Sequence, residues 1–206
     1  MLNNKNIIKT ISYSQDEILS WIMKLYVPDR FDCDPTYGKG NFYKKIPEPL
    51  FKIDLNPQNE KIRKGDSRAL SFSDDSLDSI IFDPPFTGGS RNKGKAGIIK
   101  ERFGYYKNIP ELWEMYYDSL KEFHRILKEK GILVFKCQDT VESSKQYFSH
   151  IAIMNMAVEI GFYPKDLFIL LAKTRLIGIT HHNQQHARKF HSYFWVFLNM
   201  DSKILY

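Results

Sequence analysis

Leu77-Asp78-Ser79-Ile80-Ile81-Phe82-Asp83-Pro84-Pro85-Phe86 is the stretch on which the fold reading turns. Its first part is a short apolar run, as a buried strand requires. It ends in an acid followed by two prolines, which lack the N–H that a sheet ladder needs and so stop the strand. A strand that closes on a rigid turn carrying a carboxylate is a place where a parallel sheet can present chemistry, because ligands of such sheets sit beyond the carboxyl ends of the strands.

Reading outward toward the N-terminus, Asp29 to Asp34, Phe51 to Leu55 and, more weakly, Lys61 to Asp66 have strand character. Pro57 is expected to open a short helix between the last two. Ser14-Gln15-Asp16-Glu17 has capping-box spacing, with Ile18, Leu19, Ile22, Leu25 and Tyr26 following at helical intervals, which predicts a helix over 15–26. Toward the C-terminus, Pro110 fits a first helical position, and Trp113, Tyr116, Leu120, Phe123 and Leu127 form one apolar stripe that Gly131 is expected to end. Ile132 to Lys136 follows as a buried strand, then a helix over 144–160, then closing strands at Asp166 to Ala172 and Ser192 to Leu198. Strands alternating with helices, with no repeat and no linker, predict one α/β domain over 1–206 built on a mainly parallel sheet.

Composition narrows the function classes. Over 206 residues, 43% are hydrophobic and 26% charged, the balance of a globular protein. The apolar runs are strand-length, and the N-terminus offers only Ile7-Ile8, so neither a membrane span nor a signal peptide is expected. Cys33 and Cys137 stand in no metal or redox spacing, which speaks against a disulfide framework and for a cytoplasmic location. The net charge is +6 and unevenly spread. Residues 87–107 carry a local +5, including Arg91, Lys93 and Lys95, and residues 167–200 a local +4, including Arg188 and Lys189. The rest of the chain is therefore acidic on balance, and the basic segments are expected to form a phosphate-binding track. His181, His182, His186 and His191 read as part of that basic stretch, with no metal expected, because no Cys or acid accompanies them.

Four acids close successive strands: Asp34, Asp54, Asp66 and Asp83. Asp34 opens Asp34-Pro35-Thr36-Tyr37-Gly38-Lys39-Gly40, a turn whose glycines allow a ligand to approach the backbone. Asp54 ends the next strand 20 residues on, where a carboxylate can accept both hydroxyls of a ribose. This pairing predicts a nucleoside cofactor.

Asp83-Pro84-Pro85-Phe86 resembles the Asp-Pro-Pro-Tyr/Phe motif of the amino-methyltransferases that act on adenine N6, cytosine N4 or certain RNA guanines. The segment from Asp34 and Pro35 to Gly38 and Gly40 is similar to that family's cofactor motif, and Gly65-Asp66-Ser67 to the segment that meets the cofactor's adenine. The resemblance implies a Rossmann-like class I methyltransferase fold, a seven-stranded, mostly parallel sheet with an antiparallel closing strand. It also implies S-adenosyl-L-methionine as cofactor, held by Asp34, Pro35, Gly38, Gly40, Asp54 and Asp66, and a catalytic Asp83-Pro84-Pro85-Phe86. An aromatic amine is a poor nucleophile because its lone pair is delocalised. Asp83 and a backbone carbonyl near Pro84 can each accept one amino hydrogen, while Phe86 stacks on a base taken out of the helix.

The expected substrate is a nucleic-acid base, adenine N6 in DNA favoured because Asp heads the motif. An RNA base, or a non-catalytic nucleic-acid-binding subunit with this fold, are the alternatives. Two departures from the family pattern matter. The segment between Gly40 and Phe51 is short and broken by Pro47 and Pro49. No separate target-recognition domain is expected, so either the basic segments, a partner subunit or a homo-oligomer supply specificity, or specificity is relaxed.

Overall fold

The computed structural model describes residues 7–87, 106–174 and 185–200. In chain order the elements are β1 (Ile11–Ser12), α1 (Gln15–Tyr26), β2 (Cys33–Asp34), β3 (Phe51–Asp54), β4 (Arg63–Lys64), β5 (Leu77–Phe82) and α2 (Ile109–Ile126). There follow β6 (Leu127–Cys137), β7 (Thr140–Glu142), β8 (Lys145–Tyr147), α3 (Ser149–Ile160), β9 (Phe162–Leu171) and β10 (His191–Asn199). One sheet has the order β1-β9-β10-β6-β5-β2-β3-β4, and β7-β8 form a separate hairpin. Within the large sheet every pairing is parallel except those of β10, which lies antiparallel between β6 and β9. The seven expected strands, the inserted antiparallel closing strand among them, are thus present, and β1 adds an eighth at the edge.

Alternation across the sheet divides the core into two layers. Ile80, Phe82, Leu133, Phe135 and Phe197 point to the side covered by α2 and α3. Ile81, Val134, Phe194 and Val196 point to the side where Ile18, Leu19 and Ile22 of α1 pack. Ile80–Phe82 of β5 and Ile132–Phe135 of β6 are buried on both faces, so these parts read in sequence as continuous apolar runs. At the head of α1, Ser14 accepts the N–H of Glu17 (3.3 Å) as the capping box requires, but the Glu17 carboxylate accepts from the Ser12 hydroxyl (2.5 Å).

Several boundaries differ from the sequence reading, each for a local reason. The stripe of α2 ends one residue early: Leu127 already has extended torsions and begins β6. Gly131 does not cap the helix. It lies where β6 slips against β5, between the pairs Leu77–Leu127 and Ser79–Ile132, and a Cβ there would sit 2.9 Å from the Lys128 carbonyl. The helix expected from 144 starts at Ser149, because Ser143 and Ser144 both take positive φ and turn the β7-β8 hairpin. No helix forms after Pro57, and the strands at 29–34 and 61–66 contract to two residues each.

Phe135 ties the strand layer to α2. It is fully buried, edge-on to Phe82 (5.0 Å between centroids) and to Tyr116 (5.3 Å). Phe135→Ala is expected to lower the unfolding free energy by ~3–5 kcal/mol, measured by urea denaturation. A loss below ~1 kcal/mol would mean that the three rings do not pack as one unit.

Candidate active site

Strand order reverses between β2 and β5: the chain runs outward through β3 and β4 on one side and through β6 on the other. Asp34 closes β2 and Asp83 follows β5, so the two acids meet at the switch point, where crevices of parallel sheets form. The intervening loop is built by backbone bonds. Tyr37 N–H donates to the Ile53 carbonyl (3.0 Å) and Gly40 N–H to the Tyr37 carbonyl (2.9 Å). Gly40 has φ +70°, and a Cβ there would lie 2.6 Å from the Tyr37 hydroxyl, so only glycine fits.

Asp54 fastens this loop. Its Oδ2 accepts the Gly38 N–H (2.8 Å) and its Oδ1 the Asn56 N–H (2.8 Å), with 1% of the residue exposed. The acid expected to hold a ribose therefore also shapes the glycine turn. A carboxylate offers about four acceptor directions, so the two roles are compatible. Asp34 is spent differently. Its Oδ1 accepts from the Thr36 N–H (2.8 Å) and hydroxyl (3.1 Å), and its Oδ2 from Tyr43 (2.6 Å). Burial pushes its carboxyl up to about 7, against these hydrogen bonds and with a further push from Asp83.

The Asp83–Phe86 tetrapeptide is pinned from two sides. Asp83 N–H donates to the Thr36 hydroxyl oxygen (2.8 Å), and the Tyr116 hydroxyl of α2 donates to the Pro85 carbonyl. The Pro85 carbonyl is thus taken up by α2. Thr36, Tyr116 and Lys136, whose ammonium lies 3.4 Å from Asp83 Oδ1, were not read from the sequence. Their only signal was the place of Thr36 between an acid and the glycines; the other two reach the motif from distant elements.

Pro35, Thr36, Asp54, Leu55, Gly65, Asp66, Tyr106 and Met115 join Pro84 and Pro85 around a cleft that opens to solvent. The cleft combines apolar and aromatic walls for a purine with carboxylates for ribose hydroxyls, a donor set that fits S-adenosyl-L-methionine. Asp66 stands on this wall as expected, but its carboxylate grips Arg68 through Nε (2.9 Å) and Nη2 (2.6 Å), which holds it below the usual carboxylate range. The Ser67 hydroxyl bonds Ser119 of α2 (2.8 Å), which seats the segment.

Arg188 and Lys189 precede β10, and because β10 runs antiparallel they lie at the same end of the sheet as Asp83. There the Ala172 N–H donates to the Phe190 carbonyl (2.8 Å). Arg91, Lys93 and Lys95 lie outside the described residues, as do His181 and His182. His186 bonds the Ser144 carbonyl (2.9 Å), and His191 meets the Tyr193 hydroxyl (2.8 Å) in a chain that continues to Asp139 and His150. Among the described residues no group of three His, Cys, Asp or Glu could hold a metal ion. No described helix is long and apolar enough to cross a membrane.

No curated protein sequence matches the chain. Among solved structures, it is similar to the PvuII DNA methyltransferase, cytosine-N4-specific, at 17% identity over 67% of this chain and 48% of that one, with a TM-score of 0.49. A Thermus thermophilus protein, provisionally described as a DNA modification methylase and complexed with S-adenosyl-L-methionine, matches at 17% identity over 65% and 53%, TM-score 0.46. A Haloferax volcanii complex of the Trm112 methyltransferase activator with a provisionally described methyltransferase matches at 13% identity over 84% and 83%, TM-score 0.49. The chain spans about half the length of the first two. The DNA methylase family profile (N6_N4_Mtase) matches residues 77–203, from the first residue of β5 through the Asp83 motif and past β10. That span is more than half of the sequence, and the chain belongs to the DNA methylase family.

Proposed function

We propose that this protein transfers a methyl group from S-adenosyl-L-methionine to the exocyclic amino group of a nucleic-acid base, adenine N6 in DNA before cytosine N4 or an RNA base. The observation that carries the reading is the clamped Asp83: Thr36 and Tyr116 fix the tetrapeptide at the switch point, beside an acid-lined cleft. Membership of the DNA methylase family supports it. The preference for adenine rests on the aspartate at the head of the motif.

The donor supplies an electrophilic methyl group on a sulfonium. The chain's residues do the rest. Asp54 and the Gly38 turn hold the nucleoside end, and Leu55, Tyr106 and Met115 enclose it. The Asp83 carboxylate and the Pro84 carbonyl each accept one amino hydrogen, so the nitrogen lone pair turns toward the donor, and Phe86 stacks on the base. Such placement, with reacting atoms about 3–3.5 Å apart, is where most of the rate would come from. Arg188 and Lys189, with the basic segment 87–107, would hold the phosphates. Specificity would come from this track, from a partner or from a second copy, within one domain over 1–206.

Labelled cofactor, separate DNA and RNA pools and mass spectrometry of the nucleosides test the reading: N6-methyl-2′-deoxyadenosine from DNA is expected, and no methylated base from either pool would sink it. Asp83→Ala should lower turnover by about 10²-fold or more while cofactor affinity holds. Unimpaired turnover on that substrate would remove Asp83 from the mechanism. Asp54→Ala should weaken binding of the cofactor and of its demethylated product alike, by ~1.5–3 kcal/mol, since it removes the ribose acceptor and releases the Gly38 N–H. Calorimetry showing equal affinities before and after would exclude it. Arg188→Ala with Lys189→Ala should flatten the dependence of duplex binding on salt by about one to two logarithmic units per decade, and replacing Arg91, Lys93 and Lys95 by about two to three. An unchanged slope would move the track elsewhere.

A further inference from the structure

We propose that Lys136 is the positioning residue of the acceptor carboxylate: its ammonium, walled by Phe42, Phe86 and Phe194 and anchored on Gln15, holds Asp83 in the orientation that receives the amino hydrogen. This deepens the reading of Asp83 given above and rests on it.

The sheet dictates the meeting. Phe82 pairs with Phe135 in the parallel β5-β6 ladder, so Asp83 and Lys136 are the next residues on neighbouring strands. In the antiparallel β6-β10 ladder Lys136 pairs with Phe194, which puts both on one face, the face that α1 covers. The ammonium lies 3.0 Å from Gln15 Oε1 in the first turn of α1 and 3.4 Å from Asp83 Oδ1. The rings of Phe42, Phe194 and Phe86 stand 4.8, 5.5 and 5.6 Å from it.

Only 12% of this lysine side chain is exposed. Burying an ammonium costs several kcal/mol, which an apolar residue among three rings would avoid. What lysine adds at this position is a positive charge against Asp83 and a cation over the face of Phe86, the first and last residues of the catalytic tetrapeptide. A second reason lies on the other side of Asp83. Through the Thr36 hydroxyl, Asp83 is coupled to the buried Asp34, and the two like charges oppose each other. A cation on the far side of Asp83 offsets that repulsion and draws the carboxylate to one defined place. Ion pairs that fix geometry in this way are worth more to a rate than to stability.

A double-mutant cycle separates positioning from core filling. Lys136→Met keeps the stem among the rings and removes the charge; Asp83→Asn removes its partner. Single-turnover methylation is measured with labelled S-adenosyl-L-methionine and pooled DNA and RNA for wild type, both single variants and the double variant. Lys136→Met should cut the rate about tenfold or more with cofactor and nucleic-acid affinities unchanged, yet cause no further loss in the Asp83→Asn background. An unchanged rate, or the same factor lost in both backgrounds, overturns the proposal. Gln15→Leu, which frees the ammonium from its anchor, should repeat the pattern with a loss of a few-fold, and it decides the matter if Lys136→Met does not fold. Should the wild type methylate no base, the functional reading fails by itself. Urea midpoints of the four proteins then judge the pair alone: non-additive midpoints keep the Lys136–Asp83 interaction, and additive ones sink it.

Discussion

Asp83 N–H, the Thr36 hydroxyl and the Asp34 carboxylate form one continuous hydrogen-bond chain across the switch point of the sheet. Thr36 stands in the middle as acceptor from one strand end and donor to the other. No strand pairing reaches this far, since β2 and β5 are paired only at Cys33 and Ile80. The chain therefore carries the registration of the glycine turn against the Asp83 turn. It also requires a buried acid: a hydroxyl that accepts from Asp83 needs an acceptor of its own, and Asp34 supplies it at the cost of a carboxyl raised to about 7. Replacing Thr36 by valine would keep its shape and cut both links.

The long apolar segments were legible in the sequence because two-sided burial leaves little ambiguity. Leu77–Phe82, Ile132–Lys136 and the stripe from Trp113 to Phe123 announce the central strands and the helix over them. The four acids at strand ends were legible for a similar reason, as carboxylates recurring where a parallel sheet presents ligands. The errors lie where one backbone torsion decides. A helix was expected from 144, and Ser143 and Ser144 instead turn a hairpin with positive φ. Gly131 looks like a helix stop and instead allows a strand to slip against its neighbour. Torsions of this kind are imposed by tertiary packing, and no local propensity encodes them.

Within the site, the sequence named the acids and missed their holders. Asp34, Asp54 and Asp66 were each read as direct cofactor contacts, yet each spends hydrogen bonds on the protein: Tyr43 and Thr36, Gly38 and Asn56, and Arg68. The partners that matter for Asp83 are 33 and 53 residues away along the chain, Tyr116 on a helix and Lys136 on the adjacent strand. A motif search sees contiguous residues. It does not see that α2 donates a hydroxyl to the motif's second proline carbonyl, or that a lysine one step past a strand pairing must lie beside the catalytic acid.

The balance of charge around the cleft gives these contacts a common purpose. Asp66 is neutralised by Arg68 and Asp83 faces Lys136, while Asp54 sits in the floor and accepts from the backbone N–H groups of Gly38 and Asn56. Amide donors stabilise a carboxylate without cancelling its charge. A sulfonium donor brings one positive charge, and its thioether product brings none, so in the proposed reaction a carboxylate in the wall of the cleft favours the donor over the product. In the reaction proposed above, the accepting amine becomes positive as the methyl arrives, and Asp83 is the carboxylate assigned to meet that charge. A lysine that only neutralised Asp83 would oppose this step. Held 3.4 Å off one oxygen and restrained by three rings and Gln15, it orients the carboxylate through that oxygen and leaves the charge of the group directed at the substrate.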